Sequence, residues 1–137
     1  MLTVLVVDDD EFVRKWICTV LSAFDCNVIQ ARAASQALKI LEAHRVDVLF
    51  SDCVMPGGMS GPDLAMIAAA LYPEMRIILM SGCYEHSLNL PDGWTFLRKP
   101  FKPSDIRRAI DAAVRDRSET TAVRRNKPGS PENTAEI

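Results

Sequence analysis

The sequence predicts an α/β protein built on one doubly wound, five-stranded parallel sheet with helices on both faces. Three observations carry this expectation. Short aliphatic runs of strand character recur five times, separated by stretches of helical period. Several of the runs are apolar almost throughout rather than alternating, as strands covered on both faces are. The connections are short, so each strand–helix–strand step is a right-handed crossover between parallel strands.

The elements follow in order. Leu2-Thr3-Val4-Leu5-Val6-Val7 is a near-continuous aliphatic run that stops at Asp8-Asp9-Asp10-Glu11. Val13, Trp16, Ile17, Val20, Leu21 and Phe24 then repeat at intervals of three and four, the spacing of an amphipathic helix. Asp10 is placed to cap that helix, and the acids suit the positive end of its dipole. Val28-Ile29 is a short second strand. Ala34, Ala37, Leu38 and Leu41 share one face of a second helix, with Ser35 near its start. Val46 to Ser51 is the third strand. It runs into Asp52, and the turn Met55-Pro56-Gly57-Gly58 follows at once. Ser60 caps a third helix with Pro62 in its first turn and Asp63 at its third position. Leu64, Ile67, Ala68 and Leu71 are expected on its buried face, and Tyr72-Pro73 ends it.

Arg76-Ile77-Ile78-Leu79-Met80 is a fourth buried strand, ending in Ser81-Gly82. The segment Cys83 to Gly93 carries a weak helical signal before the turn Pro91-Asp92-Gly93, so a helix there is expected to be short or irregular. Trp94-Thr95-Phe96-Leu97 is the fifth strand and leads into Arg98-Lys99-Pro100. From Pro103 an amphipathic helix runs through Ile106, Ala109, Ile110, Ala113 and Val114. After Arg117 the apolar period fails. Residues 1–117 are therefore expected to form the domain and 118–137 a disordered polar tail. Arg124, Arg125 and Lys127 in that tail read as a solvated charge run rather than a contact for an acidic partner.

Composition narrows the function classes. A chain of 137 residues with 48% hydrophobic and 25% charged side chains suits one globular domain with a real core. The net charge of -2 gives no basic footprint for nucleic acid. No apolar run approaches the ~20 residues of a membrane span, and the first residues lack the basic region and cleavage site of a signal peptide. A cytoplasmic protein with neither nucleic acid nor membrane as partner is expected. Cys18, Cys26, Cys53 and Cys83 show neither CxxC spacing nor a histidine at zinc-site intervals, which fits reduced thiols. Cys53 beside Asp52 reads as a small buried hydrophobe rather than a redox sensor. His44 and His86 stand alone and are assigned no role.

The chemistry gathers at strand ends. Parallel strands deliver Asp8 and Asp9, Asp52, Ser81 and Lys99 to one edge of the sheet, where open α/β folds place their sites. Three carboxylates crowded together raise one another's pKa unless a cation neutralises them. An all-oxygen cluster without histidine or thiolate suits a hard ion, Mg²⁺ or Mn²⁺. Phosphoryl transfer needs an in-line nucleophile and positive charge on the equatorial oxygens. Asp52 supplies the nucleophile. The metal and the Lys99 ammonium balance charge, the Ser81 hydroxyl donates to a phosphoryl oxygen, and Gly82 leaves room beside it.

These residues resemble the receiver domain of two-component response regulators, in the variant similar to hybrid-kinase receivers. The likeness rests on Val6-Val7-Asp8-Asp9-Asp10-Glu11, Ser51-Asp52 with Met55-Pro56-Gly57, Met80-Ser81-Gly82, and Phe96-Leu97-Arg98-Lys99-Pro100-Phe101. It covers Leu2 to about Arg115. It implies a flavodoxin-like fold with strand order 2-1-3-4-5. Asp52 would be the phosphoacceptor, charged by a histidine kinase or histidine phosphotransfer protein, and a downstream protein would read the result. Asp8, Asp9, Asp52 and the Val54 backbone carbonyl would hold Mg²⁺. Ser81 and Phe96 would be the switch pair, and Lys99-Pro100 a cis peptide. The second glycine, Gly58, is the hybrid-kinase feature. Phe96 stands where many relatives carry Tyr, so its switching would rest on packing.

A stand-alone receiver in a phosphorelay, with slow self-hydrolysis rather than turnover, is the leading expectation. A pseudo-receiver that only binds partners conflicts with the intact set Asp8, Asp9, Asp52, Ser81 and Lys99. A small aspartyl-phosphate phosphatase would want a second acid two residues after the nucleophile, where this chain has Val54. A flavin-binding domain would want a phosphate-cradling loop after the first strand, where this chain has acids.

Overall fold

The computed structural model describes residues 1–126, and side chains through residue 115. In chain order the elements are β1 (Thr3–Val7), α1 (Glu11–Ala23), β2 (Asn27–Ala31), α2 (Ala34–Ala43), β3 (Val48–Asp52), α3 (Gly61–Leu71) and β4 (Arg76–Ser81). A 3-10 turn (Tyr84–Ser87), β5 (Thr95–Arg98) and α4 (Pro103–Asn126) complete them. The five strands pair in parallel as β2-β1-β3-β4-β5. Both the α/β class and the strand order agree with the sequence, as does the short, irregular link between β4 and β5.

Strand alternation divides the core in two. Leu5, Val7, Leu49, Ile77 and Leu79 face α2 and α3 through Ala34, Ala37, Leu41, Leu64 and Ala68. Val4, Val6, Val48, Phe50, Ile78 and Met80 face α1 and α4 through Ile17, Leu21, Ile106 and Ile110. Phe50, fully buried, is the largest of these anchors. Burying each such side chain contributes roughly 1.5–3 kcal/mol, which is why the central strands set the position of everything at their ends.

The helix caps act as the sequence implies. The Asp10 side chain accepts from the Phe12 and Val13 amides, and Ser60 Oγ accepts from the Asp63 amide. Pro62 lies in the first turn of α3. In the turn after β3, Gly57 and Gly58 have φ of 93° and 105°, a region that side-chain-bearing residues seldom adopt.

Two expectations need correction. The buried face of α3 is Gly61, Leu64, Ala65 and Ala68, while Ile67 and Leu71 are exposed. The helix lies close to the sheet on its small residues. A Cβ at Gly61 would stand 1.9 Å from the Asp52 carbonyl oxygen, so only glycine permits that approach. In addition, α4 runs past Arg117 to Asn126. An established helix gains one backbone bond per added residue and needs no apolar face to continue. Residues 127–137, the rest of the expected tail, lie outside the described residues.

Candidate functional site

The site grows from the ends of β1 and β3. Asp8 follows β1 directly and is fully buried. Its Oδ1 accepts from the Asp10 amide at 2.8 Å, and its carbonyl oxygen accepts from Arg14 Nη1 at 2.8 Å. Arg14 Nε in turn donates to Gln30 Oε1 on β2 at 3.0 Å. The acidic loop is thus braced by α1 on one side and β2 on the other.

Asp52, the last residue of β3, is held through its own backbone. The Cys53 amide donates to the Met80 carbonyl at 2.9 Å and the Gly61 amide to the Cys53 carbonyl at 3.0 Å. Ser51 Oγ donates to the Asp52 carbonyl at 2.9 Å. With the backbone fixed on both sides, the carboxylate has a set place. Asp8, Asp9 and Asp52 each offer an oxygen within 4.8 Å of the others; Asp8 and Asp52 are buried and Asp9 is exposed.

Lys99 answers part of this charge. Its Nζ stands 3.5 Å from Asp8 Oδ2 and 3.4 Å from Asp52 Oδ1. The chain brings it there because the Lys99 amide donates to the Ser81 carbonyl at 2.9 Å, and Lys99-Pro100 is cis as expected. Burial pushes the Asp8 carboxyl above its ordinary range. The amide of Asp10 and the Lys99 ammonium oppose the rise, and the charge of Asp52 adds to it. Asp52 is likewise raised by burial first, against Lys99 and the Val54 amide, with Asp9 adding to the rise. One ammonium facing three carboxylates leaves an excess of negative charge on hard oxygen donors, two of them desolvated. That donor set fits Mg²⁺ or Mn²⁺, with the exposed Asp9 side as the open approach.

The remaining expected residues lie nearby. Ser81 ends β4, one residue beyond Met80, which pairs with Asp52 across the two strands. Its hydroxyl is buried; Oγ accepts from the Cys83 amide at 2.9 Å and lies 2.6 Å from His86 Nδ1. Phe96 pairs with Leu79 in β5 and is half-buried against the α2/α3 core. Val54 is exposed. A Cβ placed at Gly82 meets no atom within 4 Å, so the space there is open whether or not residue 82 is glycine. Cys53 is buried and its thiol is pushed up to about 11 by burial and the Asp52 charge, which keeps it protonated and weakly nucleophilic.

His86 is the residue that sequence reading missed. It stood alone in composition, and its sole signal is its distance of a few residues from Ser81 in a link too short to leave the strand end. The 3-10 turn folds it back onto the hydroxyl.

Residues 4–111 match the model of the response regulator receiver domain. The chain belongs to that family. It is 36% identical over 105 residues to the sensor kinase CckA of Brucella abortus, a match covering 72% of this chain and 11% of that protein. It is 34% identical over 80 residues to the autoinducer 1 sensor kinase/phosphatase LuxN of Vibrio harveyi, covering 58% and 9%. The chain thus spans about a tenth of the length of these relatives. Among solved structures, the receiver domain from the hybrid histidine kinase CckA superposes with a TM-score of 0.71 at 30% identity, covering 82% of this chain and 98% of that one. A receiver domain protein from Clostridium thermocellum gives 0.78 at 25% identity, covering 88% and 99%. The likeness to a hybrid-kinase receiver drawn from the sequence is therefore shared by a curated relative and by a fold neighbour.

Proposed function

We propose that this receiver domain accepts a phosphoryl group on the Asp52 carboxylate from a phosphohistidine of a sensor kinase or a histidine phosphotransfer protein. An Asp52 oxygen forms the new P–O bond as the P–N bond to the donor imidazole breaks, and the imidazole leaves with the electron pair and takes up a proton. The observation that carries this reading is the placement of Asp52 within 4.8 Å of two further carboxylates and 3.4 Å from the Lys99 ammonium.

Asp8, Asp9, Asp52 and the Val54 carbonyl are assigned to Mg²⁺, which when bound supplies positive charge to the phosphoryl oxygens. Lys99 neutralises the charge that gathers on the acceptor, and Ser81 donates its hydroxyl to one phosphoryl oxygen. Phe96 completes the switch by repacking, since it has no hydroxyl to bond. The role is that of a self-catalysed acceptor rather than an enzyme with turnover. Two residues beyond Asp52 stands Val54, which cannot activate water, so hydrolysis of the acyl phosphate is slow. The chemistry is the same in a free-standing receiver and in one joined to a kinase, and a cytoplasmic setting fits four unpaired cysteines.

The test is incubation with acetyl phosphate and MgCl₂, followed by mass measurement of an acid-stable, base-labile adduct. Wild-type protein is expected to form it, Asp52→Asn to form none, and Asp9→Ala to lose the dependence on Mg²⁺. An adduct that persists in Asp52→Asn, or none on wild type, overturns the reading.

A further inference from the structure

The hydroxyl of Ser81 has one proton and two lone pairs, so it donates to one acceptor at a time. One lone pair takes the Cys83 amide at 2.9 Å. The other neighbour is His86 Nδ1 at 2.6 Å. Either partner can be the donor across this distance, according to which ring nitrogen of His86 carries the proton. Ser81 can donate to Nδ1 only in the tautomer that carries its proton on Nε2. In that tautomer the Ser81 proton is committed to the 3-10 turn.

We propose that Ser81 donates to His86 Nδ1 in the free protein, that His86 is thereby a positioning residue holding the hydroxyl out of the phosphoryl site, and that phosphorylation transfers this hydrogen bond to a phosphoryl oxygen. The inference rests on the phosphoacceptor reading given above. It adds a named consequence: loss of the Ser81 bond frees the turn Tyr84–Ser87. The other bonds of that turn are local: the His86 amide to the Cys83 carbonyl, the Leu88 amide to the Glu85 carbonyl, and Cys83 Sγ to Glu85 Oε1. Among the described residues its side-chain ties include Ser87 Oγ to the Tyr84 carbonyl, within the turn itself, and Arg98 over the Tyr84 ring at 6.0 Å. Tyr84 and Leu88 are 60% and 52% exposed, so their rearrangement changes a partly apolar surface at the β4–β5 link. His86 itself is only half-buried, and its replacement leaves the core untouched.

Competition for one proton makes a quantitative prediction. Removing the competing acceptor tightens binding of a phosphoryl mimic by the net worth of one hydrogen bond, about two- to tenfold. The experiment measures the affinity of the wild-type domain for beryllium fluoride with MgCl₂, and the ¹⁵N signals of its imidazoles with and without that ligand. His86→Ala is expected to bind beryllium fluoride more tightly. His86→Asn, whose Oδ1 can accept in place of Nδ1, is expected to return the affinity toward wild type. In a Ser81→Ala background, His86→Ala is expected to change nothing. The His86 ring is expected to be the Nε2–H tautomer with a bonded Nδ1 in the free protein, and to lose that bond when beryllium fluoride binds.

An Nδ1–H tautomer in the free protein, an unchanged ring signal on binding, or unaltered or weaker affinity in His86→Ala overturns this proposal alone. So does an equal effect of His86→Ala with and without Ser81. A wild-type domain that binds no beryllium fluoride overturns the phosphoacceptor reading as well.

Discussion

Asp52 and Ser81 end neighbouring parallel strands, yet they are held in different ways. Asp52 closes a strand buried at every residue, and its peptide is surrounded by backbone bonds from Cys53 and Gly61 and by a bond from the Ser51 hydroxyl. Ser81 is as deeply buried, but its hydroxyl bonds go to a link that carries one 3-10 turn and leads into β5, whose residues are half-buried or exposed. The contrast teaches how one sheet edge serves two purposes. The charged groups proposed to meet a phosphoryl group are set by the core beneath them. The hydroxyl proposed to change partners is set by bonds to a short 3-10 link.

The largest effect that bears on this contrast is in the core. Phe50→Ala removes the largest buried side chain beneath the β1–β3 end and is expected to cost about 3–5 kcal/mol. Phe96→Ala, in half-buried β5, is expected to cost roughly half of that or less. Urea unfolding of both variants measures the difference. Equal losses would mean that the β5 side is as firmly packed as the centre, and the contrast would fail.

Next in size is Gly61→Ala. The added methyl has 1.9 Å to the Asp52 carbonyl oxygen, a backbone atom that cannot swing aside. Either α3 or the end of β3 must shift, with an expected loss of about 1–3 kcal/mol. Because the atom in the way belongs to the proposed acceptor, slower labelling by acetyl phosphate should accompany the loss of stability. A variant that loses stability while labelling at the wild-type rate would show that α3 yields and the β3 end does not.

Much of this edge was legible in the chain. Aliphatic runs ending in Asp8, Asp52 and Lys99 forecast both the sheet and the meeting of those three residues, because strand period and strand polarity are local signals with a global consequence. Other features were not legible. Helix α3 is apolar at most of its positions, so its period could not say that Ala65 faces in and Ile67 out. The choice was made by the close approach at Gly61, a contact between segments. His86 was hidden for the opposite reason: a four-residue 3-10 turn has no period to read, and its meaning lies in one distance to Ser81.

The smallest effect probes the well-held side and separates two roles of one acid. Asp10 caps α1 by accepting from the Phe12 and Val13 amides, and its own amide bonds Asp8 Oδ1. It also adds negative charge two residues from a buried carboxylate. Asp10→Ala removes the cap and the charge together and is expected to cost about 1 kcal/mol. Asp10→Asn keeps an acceptor oxygen of the same reach while removing the charge, so its stability is expected to match or slightly exceed wild type in the absence of divalent metal. If Asp10→Asn falls as far as Asp10→Ala in urea unfolding, the charge of Asp10 at the positive end of the helix dipole matters more than its acceptor oxygen. The acidic loop would then be held in place mainly by the field of α1, and the firmness of the Asp8 side would owe less to hydrogen-bond geometry than its short distances suggest.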